Sequence, residues 1–167
     1  MASLIEELIG TLKKQMQNYE ELLILSQEKK GIVIRNDIEM LQKITAAENT
    51  IIGRNQKLEH KRELCVKDIA TVLNVNSKQL TITKIAELIK NQKEYSELVA
   101  IRDDLKKVLG DLKVKNDQNQ ALINSSLDYI NFSVNAIRSG GNVELSYYSQ
   151  GEEVVVNDGK NFFDAKQ

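Results

Sequence analysis

The one histidine and the one cysteine of this 167-residue chain, His60 and Cys65, are the residues best suited to nucleophilic chemistry. A thiol nucleophile needs a base beside it and a third group that orients the base, all within one pocket. The two residues are five positions apart in a segment with helical periodicity, so their side chains point in different directions. The spacing predicts that each is an ordinary core or surface residue and that the two do not act together in catalysis.

Phosphate transfer and metal chemistry have no better support in the sequence. The residues after His60 lack the Lys and the small residue that usually follow a phosphorylated histidine at three and four places. No Glu-x-x-His pair recurs, as a di-iron bundle requires, and there is no glycine-rich phosphate loop. We therefore expect a protein that is not an enzyme and that uses no cofactor or metal.

Composition points to a helical protein of the cytoplasm. Hydrophobic residues make up 41% and charged residues 28% of the chain, aromatic residues only 5%, and Pro and Trp are absent. This balance suits long helices better than sheets. The net charge of −1, with bases interleaved among acids, disfavours nucleic acid or an anionic membrane as a partner. A single cysteine, an acidic N-terminus and the lack of a membrane-length apolar run favour a reducing cytosol and no stable membrane insertion.

Apolar periodicity predicts three long helices. The first covers about residues 3–30 and ends at Gly31. Asn36 then caps the second helix, because Glu39 follows three places later in a capping-box arrangement. The second helix covers about residues 37–73, and the polar residues Glu48, Asn55 and Arg62 interrupt its apolar stripe as layers that can fix register.

A third helical stretch follows a predicted loop at residues 74–83. It begins near Lys84 and continues through Ile137, with a bend around residues 91–96 left open. This stretch carries a polar patch formed by Asn116, Asn119 and Asn124. The patch either fixes the register of the helices or faces solvent, or it contacts a partner. The predicted fold is all-α, an elongated antiparallel bundle of coiled-coil-like helices, as a monomer or a homodimer.

The character of the sequence changes at Ser139-Gly140-Gly141, where helical periodicity stops. We expect a helical domain at residues 1–138 and a flexible C-terminal tail at residues 139–167. The tail has five acids and two bases, together with apolar groups that a purely solubilising tail would not need. Among these groups, Tyr147, Tyr148, Phe162 and Phe163 suggest that the tail binds a partner.

Three segments resemble the flagellar export chaperones of the FlgN family. Residues 116–133, N-D-Q-N-Q-A-L-I-N-S-S-L-D-Y-I-N-F-S, are similar to the last helix of that family. Residues 19–30 resemble its first helix, and residues 36–48 resemble the start of its second. The three occur in the right order with the right gaps, and the resemblance extends over about residues 4–139.

The resemblance implies a cytosolic chaperone that binds hook–filament junction proteins, prevents their premature assembly and delivers them to the type III export gate. In the family the C-terminal part contacts the substrate, and a Tyr in a Tyr-x-x-x-Gly tail motif docks on the gate's cytosolic domain. Tyr147 supplies that spacing to Gly151, with Tyr148 as an alternate. The residues expected to bind partners are Asn116, Asn119, Ile123, Ile130, Phe132, Val134, Ile137, Tyr147, Tyr148, Phe162 and Phe163.

A structural coiled-coil oligomerisation or adaptor protein is the competing interpretation. It would explain the helices, and it should form a stable oligomer unaided, because a long apolar seam can be satisfied between two chains as well as within one. It would not need an aromatic-bearing tail after residue 140. The presence of that tail favours the chaperone.

Overall fold

The computed structural model describes residues 1–138, and 89% of these residues are helical. Two long helices come first, α1 (Ala2–Ile34) and α2 (Ile38–Leu73). A 3-10 turn (Ser77–Gln79) leads into the short helix α3 (Ile82–Leu88), and the long helix α4 (Tyr95–Arg138) follows. No β-strand occurs in this part of the chain. The predicted all-α class is confirmed.

The chain divides into two compact units, Met1–Leu122 and a second that begins at Ile123 within α4. The predicted domain boundary after residue 138 coincides with the end of the described residues and stays a prediction. The helical bundle described in the next paragraphs is that of the first unit alone.

The reversal between α1 and α2 differs from the prediction in both of its details. Gly31 does not end α1, which continues to Ile34, and the buried Ile32 and Val33 explain why the additional turn is favourable. Asn36 does not cap α2; it has a φ of 57° and terminates α1. The amide of Asp37 donates to the Ile32 carbonyl at 3.1 Å, the hydrogen bond of a Schellman motif, in which Asn is one of the few residues that tolerate the left-handed position.

Asp37 is the residue that caps α2. Its carboxylate accepts a hydrogen bond from the amide of Met40 at 3.0 Å. The second helix ends as the first does, because Asn74 has a φ of 54° and the amide of Val75 donates to the Ala70 carbonyl at 3.0 Å. The predicted extent of the second helix is therefore confirmed to within one residue.

Helices α1 and α2 are antiparallel, and the part of α4 that belongs to the first unit runs parallel to α1. Residue numbers rise along α1 while those of their partners in α2 fall, in the pairs Glu7–Lys61, Asn18–Asn55 and Lys29–Glu48. The numbers rise together between α1 and α4, in the pairs Lys13–Glu97 and Ser26–Asn116. The first unit is thus built on an up-down-up arrangement of long helices.

The predicted loop at residues 74–83 and the single third helix are both partly wrong. Asn76 accepts a hydrogen bond from the amide of Lys78 and starts the 3-10 turn, and Thr81 accepts one from the amide of Lys84 and caps α3. The helix then stops at Leu88, and α4 begins at Tyr95, so the third stretch is two helices separated at the place where the sequence left a bend open. Ile85 and Ala86 of α3 are buried because they close one end of the core.

The main hydrophobic core lies where α3 meets the start of α1, the end of α2 and the start of α4. Burial of each large aliphatic side chain there contributes about 1.5–3 kcal/mol relative to its exposure. The fully enclosed members, all below 2% exposure, are Ile5, Leu8, Leu12, Ile69, Ile85 and Leu98. This end of the bundle provides the apolar packing, whereas the far halves of α1 and α2 rely on polar layers as well.

Candidate partner-binding surface

Polar layers join α1 to α2 at the positions where the sequence interrupts the apolar stripe. Asn18 Nδ2 donates to Asn55 Oδ1 at 2.9 Å in a buried pair, and Lys29 Nζ lies 2.5 Å from Glu48 Oε2. These layers are internal, and each places a polar contact between the two helices instead of presenting it to a ligand. The structural role predicted for Glu48 and Asn55 agrees with these contacts.

The third layer contains a carboxylate with a shifted pKa. Glu59 accepts hydrogen bonds from Arg62 and, at 3.0 Å, from Gln15 Nε2. Burial acts to raise the pKa of Glu59, but the hydrogen bonds from Arg62 and Gln15 outweigh it and hold the pKa below its ordinary value. The neighbouring Tyr19 has a raised pKa because of burial first and the Glu59 charge second. Such a layer fixes the register of the two helices.

Asn116 and Asn119, which the sequence placed among the partner-binding residues, contact α1 of the same chain. Asn119 is only 4% exposed, and its Nδ2 donates to the Ser26 carbonyl oxygen at 2.7 Å and lies 3.1 Å from Ser26 Oγ. The Ser26 hydroxyl donates in turn to Asn116 Oδ1 at 3.0 Å. These hydrogen bonds fit the first role that the sequence analysis offered for the asparagines, that of fixing the register of the helices. We therefore leave both asparagines out of the partner surface proposed below.

His60 and Cys65 do not form a catalytic pair. His60 is exposed on α2, whereas Cys65 is 4% exposed and belongs to the main core. Burial, followed by the charge of Glu7, raises the pKa of the Cys65 thiol and so disfavours the reactive thiolate. Within residues 1–138 no three His, Cys, Asp or Glu side chains are grouped so as to hold a metal ion.

A different surface stands out on the last four turns of α4, residues 123–138, which we call the terminal segment. It carries large apolar side chains that are exposed, up to 78% for Ile137 and 72% for Tyr129. Exposed apolar groups gathered on one short helix are the usual mark of a protein–protein contact. The exposed members are Leu127, Tyr129, Ile130, Phe132, Val134 and Ile137.

The structure places four of the predicted partner-binding residues in this exposed set, and these are Ile130, Phe132, Val134 and Ile137. Ile123 lies on the same segment but is half-buried. Tyr147, Tyr148, Phe162 and Phe163 lie outside the described residues.

The sequence-based list omitted Leu127 and Tyr129, which the structure exposes beside the predicted residues. Leu127 could have been found from its spacing, since it lies four places after Ile123 and three before Ile130 in a heptad-like series. Tyr129 falls outside that series. Only its exposure brings it to notice.

Within residues 1–138, none of the helices has the combination of length and apolar character needed to cross a membrane.

The family comparison agrees with the resemblance of the three helical segments. The family model described as FlgN protein matches residues 1–154, which includes every helix described above and the Tyr147-to-Gly151 motif. Among curated proteins and among solved structures no significant match was found. With most of its length matched, the chain belongs to the FlgN family, whose members are chaperones of flagellar protein export.

Proposed function

We propose that this protein binds hook–filament junction proteins in the cytoplasm, keeps them from assembling prematurely and delivers them to the flagellar export gate. The observation that carries this proposal is the exposed apolar surface of the terminal segment. Family membership supports the export-chaperone role in general, and the surface supports a helical apolar ligand in particular.

The terminal segment has the character expected of a surface that protects another helix. An amphipathic helix that packs only after assembly exposes its apolar face beforehand and is prone to aggregate. Burying that face against Ile130, Val134 and their neighbours would keep the junction protein soluble. Among residues 1–138, the main hydrophobic core is formed by residues 5–105, and the side chains of the terminal segment are not among its members.

Delivery is the proposed task of the tail. Tyr147, or its neighbour Tyr148, precedes Gly151 in the spacing of the family's gate-docking motif, and the family match extends through residue 154. A tyrosine ring can fill a pocket while its hydroxyl finds a hydrogen bond, and such residues are frequent hot spots. Capture and delivery would then depend on different parts of the chain.

Capture is tested by co-purifying the full chain with hook–filament junction proteins of the same organism and titrating the pairs that form. The double change Ile130→Ser, Val134→Ser should weaken binding by about 30-fold or more, as expected for hot-spot residues. Leu109→Ser is the matched control, since Leu109 is an aliphatic residue of the same helix with 42% exposure against 40% for Ile130, but it lies outside the terminal segment. Equal loss in both variants would show that binding does not depend on this surface.

Delivery is tested with the double change Tyr147→Ala, Tyr148→Ala, titrated against the junction protein and against the cytosolic domain of the export gate. We expect capture of the junction protein to remain near the wild-type value and binding to the gate domain to be lost. Weakened capture with intact gate binding would contradict the assignment of these tyrosines to the gate. A stable oligomer that captures no junction protein would favour the structural coiled-coil alternative.

A further inference from the structure

The apolar residues of the terminal segment extend around more of the helix than one docking partner covers. At about 100° per residue, Ile123, Leu127, Ile130, Val134 and Ile137 fall within about 80° of one another. We call this set the aliphatic side. Tyr129 lies about 100° around the helix from Ile130, and Phe132 lies about 160° from Ile130 in the same direction. We call these two residues the aromatic side.

Small residues occupy the surface between the two sides. Ser126 and Ser133 fall between Ile130 and Tyr129, and neither presents bulk or charge there. The apolar arc from the aliphatic to the aromatic side therefore spans about 220° with no charged interruption. Surface helices usually carry an apolar stripe somewhat over about 100° wide, and helices that are apolar all round are buried.

Charge along α4 changes in the same place. Between Glu97 and Asp117 the helix carries ten charged residues, whereas the terminal segment carries two, Asp128 and Arg138, and both lie outside the apolar arc. Both sides of the segment are nevertheless exposed, with Phe132 at 63%. A charged residue on the partner would find no counter-charge within the apolar arc and would lose hydration without compensation. The surface thus fits a partner whose contacting edges are neutral.

We propose that the terminal segment is enclosed by two helices of its ligand, one packed on the aliphatic side and one on the aromatic side. The ligand class is a pair of amphipathic helices with uncharged edges. One helix covers roughly a stripe of about 100°, so a single helix would leave either Phe132 or Ile137 in water. The inference rests on the proposed function, because it describes the ligand that the same surface would take.

The experiment uses photo-crosslinking in the full chain, co-expressed with the hook–filament junction protein that it captures. The crosslinking amino acid p-benzoylphenylalanine is placed at position 130, at position 132, and at position 131 as the control in the polar sector. We expect crosslinks from positions 130 and 132 to map to two different helices of the junction protein, and position 131 to crosslink weakly. Crosslinks from both positions to one helix would overturn the inference, as would crosslinks to a second copy of this chain or to its own residues 139–167.

Affinity measurements give a second reading that does not depend on crosslinking. Ile130→Ser and Phe132→Ser should each weaken binding by about tenfold or more, whereas Asn131→Ser should leave it unchanged. Because the surface is nearly uncharged, affinity should change by less than about twofold between low and moderate salt. A single helix docked on the aliphatic side predicts instead that Phe132→Ser has no effect, and one docked on the aromatic side predicts that Ile130→Ser has none. Circular dichroism of each variant verifies that the helices persist.

The two proposals fail in distinguishable ways. If no junction protein is captured by the unaltered chain, the proposed function fails and this inference fails with it. If capture occurs and depends on Ile130 but not on Phe132, the proposed function stands and only the two-helix ligand is refuted.

Discussion

Replacing Asn119 with alanine separates an internal role for this residue from a partner contact. Asn119 connects α4 to α1 through the Ser26 backbone and hydroxyl, at 2.7 and 3.1 Å. The change Asn119→Ala removes both interactions and truncates a side chain that is 96% enclosed by the protein, since its exposure is 4%. The Ser26 hydroxyl keeps its hydrogen bond to Asn116, so the remaining layer is not left wholly unsatisfied.

The expected cost follows from these contacts. A buried hydrogen bond contributes about 1 kcal/mol net, and the small cavity adds to the loss, so the free energy of unfolding should fall by about 1.5–3 kcal/mol. For a chain of this size that corresponds to a melting temperature about 3–10 °C lower. Asn116→Ala is the control, because Asn116 is exposed and only accepts one hydrogen bond, and it should cost less than about 1 kcal/mol.

Thermal and urea unfolding followed by circular dichroism measure the stability, and titration with the junction protein well below the melting temperature measures the affinity. We expect Asn119→Ala to lower stability while changing affinity by less than about twofold, because the residue is not on the proposed surface. An unchanged melting temperature together with a large loss of affinity would refute the reasoning and return Asn119 to the partner-binding set.

Three further predictions concern pH, thiol reactivity and the tail. Glu59 has a lowered pKa in the folded protein, so the stability that its carboxylate provides is present above the ordinary pKa of 4.5 and is lost as the pH falls through the folded pKa. Urea titrations from about pH 6 to about pH 3 should therefore show that the free energy of unfolding falls less steeply in Glu59→Gln than in the wild type. Cys65 should resist iodoacetamide in the native protein and react on denaturation, because burial both hides its thiol and raises its pKa; rapid native labelling would contradict its place in the core. Removing residues after Ser139 should leave the melting temperature within about 2 °C of wild type but weaken delivery, since the main core described within residues 1–138 is formed by residues 5–105. Collapse of the helical signal would show that the tail belongs to the fold.

Periodicity and composition were sufficient to predict the fold class and the long helices. A 3.6-residue repeat of apolar side chains is a local property, and over more than thirty residues it leaves little choice except a helix, as α1 and α2 show. The polar interruptions at Glu48 and Asn55 were predictable for the same reason, because they lie on the apolar stripe. Three segment resemblances in order were enough to indicate the family.

The helix ends could not all be predicted, because the sequence offers more than one residue that can terminate a helix and does not show which one the fold uses. Gly31 and Asn36 are both terminators, and the choice fell on Asn36 because continuing past Gly31 buries Ile32 and Val33. The short helix α3 was predicted only as the start of the third helix and not as a separate helix, because its seven residues are helical mainly through the core that they close. Capping signals at Asn76 and Thr81 were present but weak.

The composition of the candidate surface was visible in the sequence, but its exposure was not. An apolar stripe reads the same whether it faces a neighbouring helix, as Leu98 and Ile101 do, or water, as Ile130 and Ile137 do. The asparagines show the converse: Asn116 and Asn119 have the polar character of a binding surface, yet their hydrogen bonds are made to Ser26 on a helix about ninety residues earlier in the chain. Which side chains meet across such a separation is decided by tertiary packing alone, because local periodicity carries no information about the partner that a face will find.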